Sequence, residues 1–91
     1  MIKNLIGEAA LLEQLAEECA ELSKAALKKA RIIRGQNPTP VTIEKADADL
    51  IEEYTDVIHC AMELQLKIDG RQMDKKQERW ISRIKEMRVV K

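Results

Sequence analysis

The stretch LLEQLAEECAELSKAALKKARII, residues 11–33, decides the fold. Leu11, Leu12, Leu15, Cys19, Leu22, Ala26 and Ala30 recur at the three-to-four spacing of one buried helical face. Alanine, leucine, glutamate and lysine, all strong helix formers, fill the positions between them. The pattern predicts a helix from about Gly7 to Ile33, preceded at Met1–Ile6 by a frayed turn or an arm that packs on a neighbour.

Arg34-Gly35-Gln36-Asn37-Pro38-Thr39-Pro40 ends that helix. Gly35 suits a left-handed C-terminal cap, and two prolines one residue apart cannot continue a helix. Thr42 is the expected N-cap of a second helix, with Glu44 favourably placed in its first turn. This helix is expected to reach about Asp69, where Gly70 offers another C-terminal cap. Its apolar face reads Ile43, Ala46, Leu50, Tyr54, Val57, Ala61, Leu64 and Ile68. A third helix, roughly Asp74 to Val89, carries Trp80, Ile81, Ile84 and Met87 among many charges. The fold class is therefore all-α: a long antiparallel helical hairpin plus a third C-terminal helix, in one domain spanning residues 1–91.

A chain of 91 residues buries only ~60% of the surface that its unfolded form exposes. One Trp, one Tyr and no Phe leave aliphatic residues and alanine to build the core. Helices of about 25 residues are also about 40 Å long, too long for one small globule. A homo-oligomer of hairpins, dimer or tetramer, is the economical way to cover the remaining apolar surface.

Sixteen basic and sixteen acidic residues cancel, so the basic excess of a non-specific nucleic-acid or anionic-membrane binder is missing. Cys19 and Cys60 fall inside helical patterns, without CxxC or Cys/His ligand spacing. With no signal peptide and no bilayer-length apolar run, the cytoplasm and reduced thiols are expected.

Two acidic clusters lie on the two long helices: Glu17-Glu18-Cys19-Ala20-Glu21 and Glu53-Tyr54-Thr55-Asp56. At about 100° per residue from Leu15, Glu18 falls at about −60°, Glu21 at about −120° and Glu17 at about −160°. From Leu50, Glu53 falls at about −60° and Asp56 at about −120°. Both pairs thus sit on matching flanks of their apolar stripes, and Asp49 extends the second flank. Like charges gathered at a packing border destabilise it unless something neutralises them. Oxygen-only donors suit Mg²⁺ or Mn²⁺ better than Zn²⁺, and Mg²⁺ shares its coordination with substrate phosphates. The chemistry this anticipates is metal-assisted attack of water on a phosphoanhydride. Either motif alone is more often a solvated helix face; two on matching flanks of consecutive helices argue for a site.

The pair of motifs, EExxE followed after a loop by ExxD, resembles the all-α nucleoside triphosphate pyrophosphatases of the MazG-like superfamily. The contexts LAEECAEL and IEEYTDVI, the loop RGQNPTPVT and the later KKQERW look like its short, single-domain bacterial and phage members. The resemblance covers about Leu15 to Trp80, with a somewhat longer span between Glu21 and Glu53 than in compact members. It implies Mg²⁺-dependent hydrolysis of a (d)NTP to its monophosphate and pyrophosphate, by water attacking the α-phosphorus. Glu18, Glu21, Glu53 and Asp56 would be the metal ligands, with Glu17 supporting them or orienting the water. Lys76, Arg79 and Arg83 would bind the phosphates.

Other residues have plainer readings. His59 lies opposite Leu50 on the wheel and is expected at solvent or a subunit contact. Cys60 is a small packing residue, and Tyr54 belongs to the core. Trp80 suits a subunit interface better than a nucleobase stack. Lys24 and Lys28 are helix-supporting charges first and phosphate ligands second. Asn37 is a turn former or a reader of a base or sugar edge. The rival functions are a non-catalytic helical oligomerisation module and a nucleotide sensor that binds without hydrolysis.

Overall fold

The structure is a computed structural model that describes residues 1–36 and 41–90. Asn37, Pro38 and Pro40 lie outside the described residues. The described chain is all-helical: α1 (Ile2–Ile6), α2 (Glu8–Ile33), α3 (Ile43–Glu63) and α4 (Gly70–Val90). None of these helices is long and apolar enough to cross a membrane.

Local chemistry explains most of the boundaries. Gly7, at φ 88°, makes the sharp turn between α1 and α2. Gly35, at φ 69°, ends α2: its N–H donates to the Ile32 carbonyl at 3.0 Å and the Gln36 N–H to the Arg31 carbonyl at 2.8 Å. Those two bonds form a Schellman motif. At the start of α3 the Thr42 hydroxyl accepts the Lys45 N–H at 3.1 Å, as expected of an N-cap.

The end of α3 differs from the sequence expectation. The helix stops at Glu63, not near Asp69, through a second Schellman motif in which Gln65 takes the left-handed position at φ 59°. Its N–H donates to the Met62 carbonyl and that of Leu66 to the Ala61 carbonyl, both at 3.0 Å. Gly70 caps nothing. It is the first residue of α4, and Asp69 is the cap, its Oδ1 accepting the Gln72 N–H at 3.1 Å.

The packed interface lies between α2 and α3. On α2 one series of less exposed positions is Leu11, Leu15, Glu18, Leu22, Ala25, Lys29 and Ile32, with Lys28 and Ala30 half-buried beside it. On α3 and its C-cap the matching series is Ala46, Leu50, Glu53, Val57, Cys60 and Leu64, flanked by the half-buried Asp47, Asp49, Asp56, Ala61 and Glu63. Both series follow the four-three spacing of a coiled-coil seam. Leu11 clusters with Cys60 and Leu64, Glu18 with Glu53 and Asp56, and Lys29 pairs with Asp47, so the contacts climb one helix while descending the other.

This seam corrects the predicted faces. Leu12, Cys19 and Ala26 on α2, and Ile43, Tyr54 and Ile68, are exposed in the chain. Glu18 and Glu53 occupy the seam itself, not the flank of the apolar stripe. Each helix carries apolar residues over a wide arc, and pairing uses the edge of that arc nearest the acids. Met1–Ile6 packs on its own chain: Ile2 sits against the Leu11–Cys60–Leu64 cluster, and the Met1 ammonium contacts Glu63 Oε2 at 3.1 Å.

That ammonium, helped by the Ile2 N–H, holds the Glu63 carboxyl below its ordinary value of 4.5. The contribution is present above that value and is lost as pH falls through the lowered folded one.

Every described side chain of α4 is exposed, and α4 shares no packed interface with the other helices. The radius of gyration is accordingly 17.3 Å, against about 12 Å for a compact chain of this length.

The non-glycine left-handed cap supplies a first test. Gln65→Gly should raise the unfolding free energy by about 0.5–1 kcal/mol, the relieved strain outweighing the added chain entropy. Thr42→Ala should lower it by about 1 kcal/mol. Urea titrations at one fixed protein concentration measure both; a destabilised Gln65→Gly would refute the strain argument.

Candidate metal centre

Glu18 reaches the seam from the second turn before Ala25, and Glu53 and Asp56 reach it from successive turns of α3. One carboxylate oxygen from each of the three lies within 4.8 Å of the others. Glu18 and Glu53 are half-buried. Gln14, one turn before Glu18, steadies it by donating from Nε2 to Oε1 at 2.8 Å. Sequence reasoning passed over Gln14, although its i,i+4 spacing to Glu18 was a usable signal.

Among the described residues no ion pair neutralises this triplet. Three nearby lysines are engaged elsewhere, Lys24 with Glu21 at 3.4 Å, Lys45 with Asp49 at 2.6 Å, and Lys29 with Asp47; Lys28 lines the neighbouring hollow without an ion pair to the triplet. Glu53 registers the consequence. Its pKa is raised, first by burial, then by the charges of Asp56, Glu21, Glu52 and Glu18. Cys60 closes the apolar end of the same region; burial, followed by the Glu18 and Asp56 charges, pushes its thiol up. It is a packing residue held in the neutral form.

Glu21 stands outside the triplet. It lines, with Lys24, Ala25, Lys28, Ala46, Asp49 and Glu53, a shallow cavity of about 320 Å³ beside it. This hollow holds both signs of charge, with two lysines from α2 facing carboxylates from both helices. Glu17 is exposed and is not brought to the triplet. His59 is exposed as expected, with Nε2 at 3.7 Å from Glu63 Oε1. Lys76, Arg79 and Arg83 line a separate groove on α4 with Trp80, and the chain does not bring them to the carboxylates.

The donor set fits a hard divalent cation. It offers only oxygen, comes from two helices, and combines three like charges whose mutual repulsion a +2 ion would reverse. Comparison with protein-family models, with curated proteins and with solved structures returned no match to this chain.

Glu53 sets the test of this electrostatic reading. Because its folded pKa lies above its ordinary 4.5, the native state binds the proton more tightly than the unfolded state does. Stability should therefore fall as pH rises from that ordinary value through the folded one. In metal-free buffer Glu53→Gln should melt higher than wild type near neutral pH, with the gap closing at about pH 4. Melting followed by circular dichroism reads this directly; a lower melting point for Glu53→Gln would show that the charge is not repulsive.

Proposed function

We propose that this chain is a Mg²⁺-dependent nucleoside triphosphate pyrophosphohydrolase of the MazG-like type, converting a (d)NTP to (d)NMP and pyrophosphate. Mn²⁺ is the alternative ion, and the cytoplasm the proposed place of action. The observation that carries the reading is the convergence of Glu18 with Glu53 and Asp56, one from EExxE and two from ExxD, at a single point between two helices.

Glu18, Glu53 and Asp56 would hold the ion, with Glu21 at the rim next to Glu53. When bound, Mg²⁺ supplies charge neutralisation on the triphosphate oxygens and acidifies a water for attack at the α-phosphorus. The seam fixes the backbones that carry these carboxylates, so little reorganisation accompanies binding. Lys24 and Lys28 line the same hollow and would take the charge of the outer phosphates. Within one chain Lys76, Arg79 and Arg83 stay on α4, away from the carboxylates, so the charge of the outer phosphates would fall to Lys24 and Lys28 even in a homo-oligomer of α2–α3 hairpins. Glu17, exposed on α2, would have no part in holding the ion.

The separation of the α4 cations from the carboxylates also favours a second reading, a sensor that binds triphosphate without hydrolysing it. A pyrophosphate-release screen with Mg²⁺ across common and modified triphosphates separates the two. Hydrolysis should appear for at least one substrate, and Glu53→Gln should lower its kcat by about 100-fold or more while helicity is retained. Triphosphate-dependent stabilisation with no pyrophosphate would establish the sensor instead. Undiminished activity in Glu53→Gln would move the site elsewhere.

A further inference from the structure

Among the described residues the side chains buried within one chain are Leu11, Ala46, Cys60 and Leu64. The accessible surface is 7791 Å² for a chain of 10.4 kDa, whereas a compact monomer of that mass exposes about 5,400 Å². The excess of about 2,400 Å² per chain is of interface size, since permanent complexes remove about 2,000–5,000 Å² in total.

Two surfaces carry many of the exposed large apolar side chains. The first belongs to α2 and α3: Leu12, Leu27, Ile51, Tyr54, Ile58 and Met62 are all exposed. At about 100° per residue they lie about 80–160° from the seam in one rotational sense, with Glu21 and Asp56 about 80° away in the other. Because the two helices run in opposite directions, equal rotations open on the same side of the layer. The layer therefore has an apolar side and, opposite it, an acidic side that carries the candidate metal centre.

The second surface is on α4. Met73, Gln77, Trp80, Ile84 and Met87 follow four-three spacing, and most of them line a groove of about 740 Å³ that, among the described residues, no other helix covers. From Met73 to Met87 this stripe runs about 21 Å, matching the roughly 22 Å from Leu12 to Leu27. Charge matches as well: residues 70–90 hold seven basic and three acidic residues, whereas residues 1–69 hold eight basic and thirteen acidic.

We infer that two copies of this chain exchange α4, each α4 laying its apolar stripe along the apolar side of the other copy's α2–α3 layer. The exchange is reciprocal, so the contact closes on itself as a two-fold dimer. It covers both surfaces at once, puts a basic helix on an acidic body, and leaves the acidic side open to solvent.

Sedimentation velocity and the fluorescence of the sole tryptophan, Trp80, test this on the full chain. Wild type should sediment as a dimer or a multiple of it, with blue-shifted emission that moves red on dilution. Ile58→Glu on the layer and Ile84→Arg on α4 should each raise the dissociation constant by about 100-fold or more. Lys75→Gln, on the far side of α4, should change nothing. Mixing Ile58→Glu with Ile84→Arg chains should restore a dimer, because each pair joins one intact α4 to one intact layer. Should a single variant fail to fold, wild type still decides, since its melting temperature must then rise with concentration. A wild type that stays a helical monomer at every concentration sampled, with Trp80 in water, would overturn the inference. Undiminished association of Ile84→Arg would overturn it as well.

Discussion

Glu18 and Glu53 face one another inside the seam between α2 and α3, at positions where a coiled-coil pattern calls for apolar side chains. The layers toward one end are packed by Leu11, Leu15, Cys60 and Leu64, and those toward the other by Leu22, Ala25, Ala46 and Leu50. Apolar packing at both ends thus holds two carboxylates together that would otherwise separate. The raised pKa of Glu53 is the local cost of that placement. A chain of this size has few buried residues to spend on a repulsive layer, so the layer asks for a counter-charge. The proposed divalent cation answers that need through the same oxygens that create it.

This arrangement also accounts for the distribution of residues around the pair. Rotating away from the seam in one sense leads to Gln14, Glu21, Asp49 and Asp56, all polar and grouped about the triplet. Rotating in the other sense leads to Leu12, Leu27, Ile51, Tyr54, Ile58 and Met62, all left in water by the single chain. The seam is therefore a boundary between two chemically different sides, one suited to ions and the other to apolar partners.

Much of this was legible in the sequence, and the failures share a cause. The end of α2 at Gly35 and the N-cap at Thr42 follow from local chemistry, and the matching spacing of the acids on two consecutive helices pointed to Glu18 with Glu53 and Asp56. The end of α3 did not, because the left-handed position was taken by Gln65 while Gly70 offered a false signal a few residues later. Nor could the wheel say which part of a wide apolar arc faces the partner helix. Leu12, Cys19 and Tyr54 looked as buried as Leu11 and Leu50, since period alone reports amphipathicity and not the identity of the neighbour. The cations of α4 were assigned by spacing along the chain, yet their distance from the carboxylates depends on how helices pack, which spacing does not encode.

Assembly and chemistry are linked through this division of sides. A repulsive centre in the middle of a two-helix layer is tolerable only if the layer is stabilised elsewhere, and one chain supplies little such stabilisation of its own. Covering the apolar side with a basic helix from a second copy adds the missing burial without touching the acidic side. It also lowers the net negative charge around Glu53, which partly offsets the repulsion in the seam. The carboxylates can then remain close enough to grip a small cation while the face through which a polyphosphate would approach stays open. On this view the exposed α4 is as necessary to the candidate metal centre as the acids that form it, although none of its side chains lies at the centre.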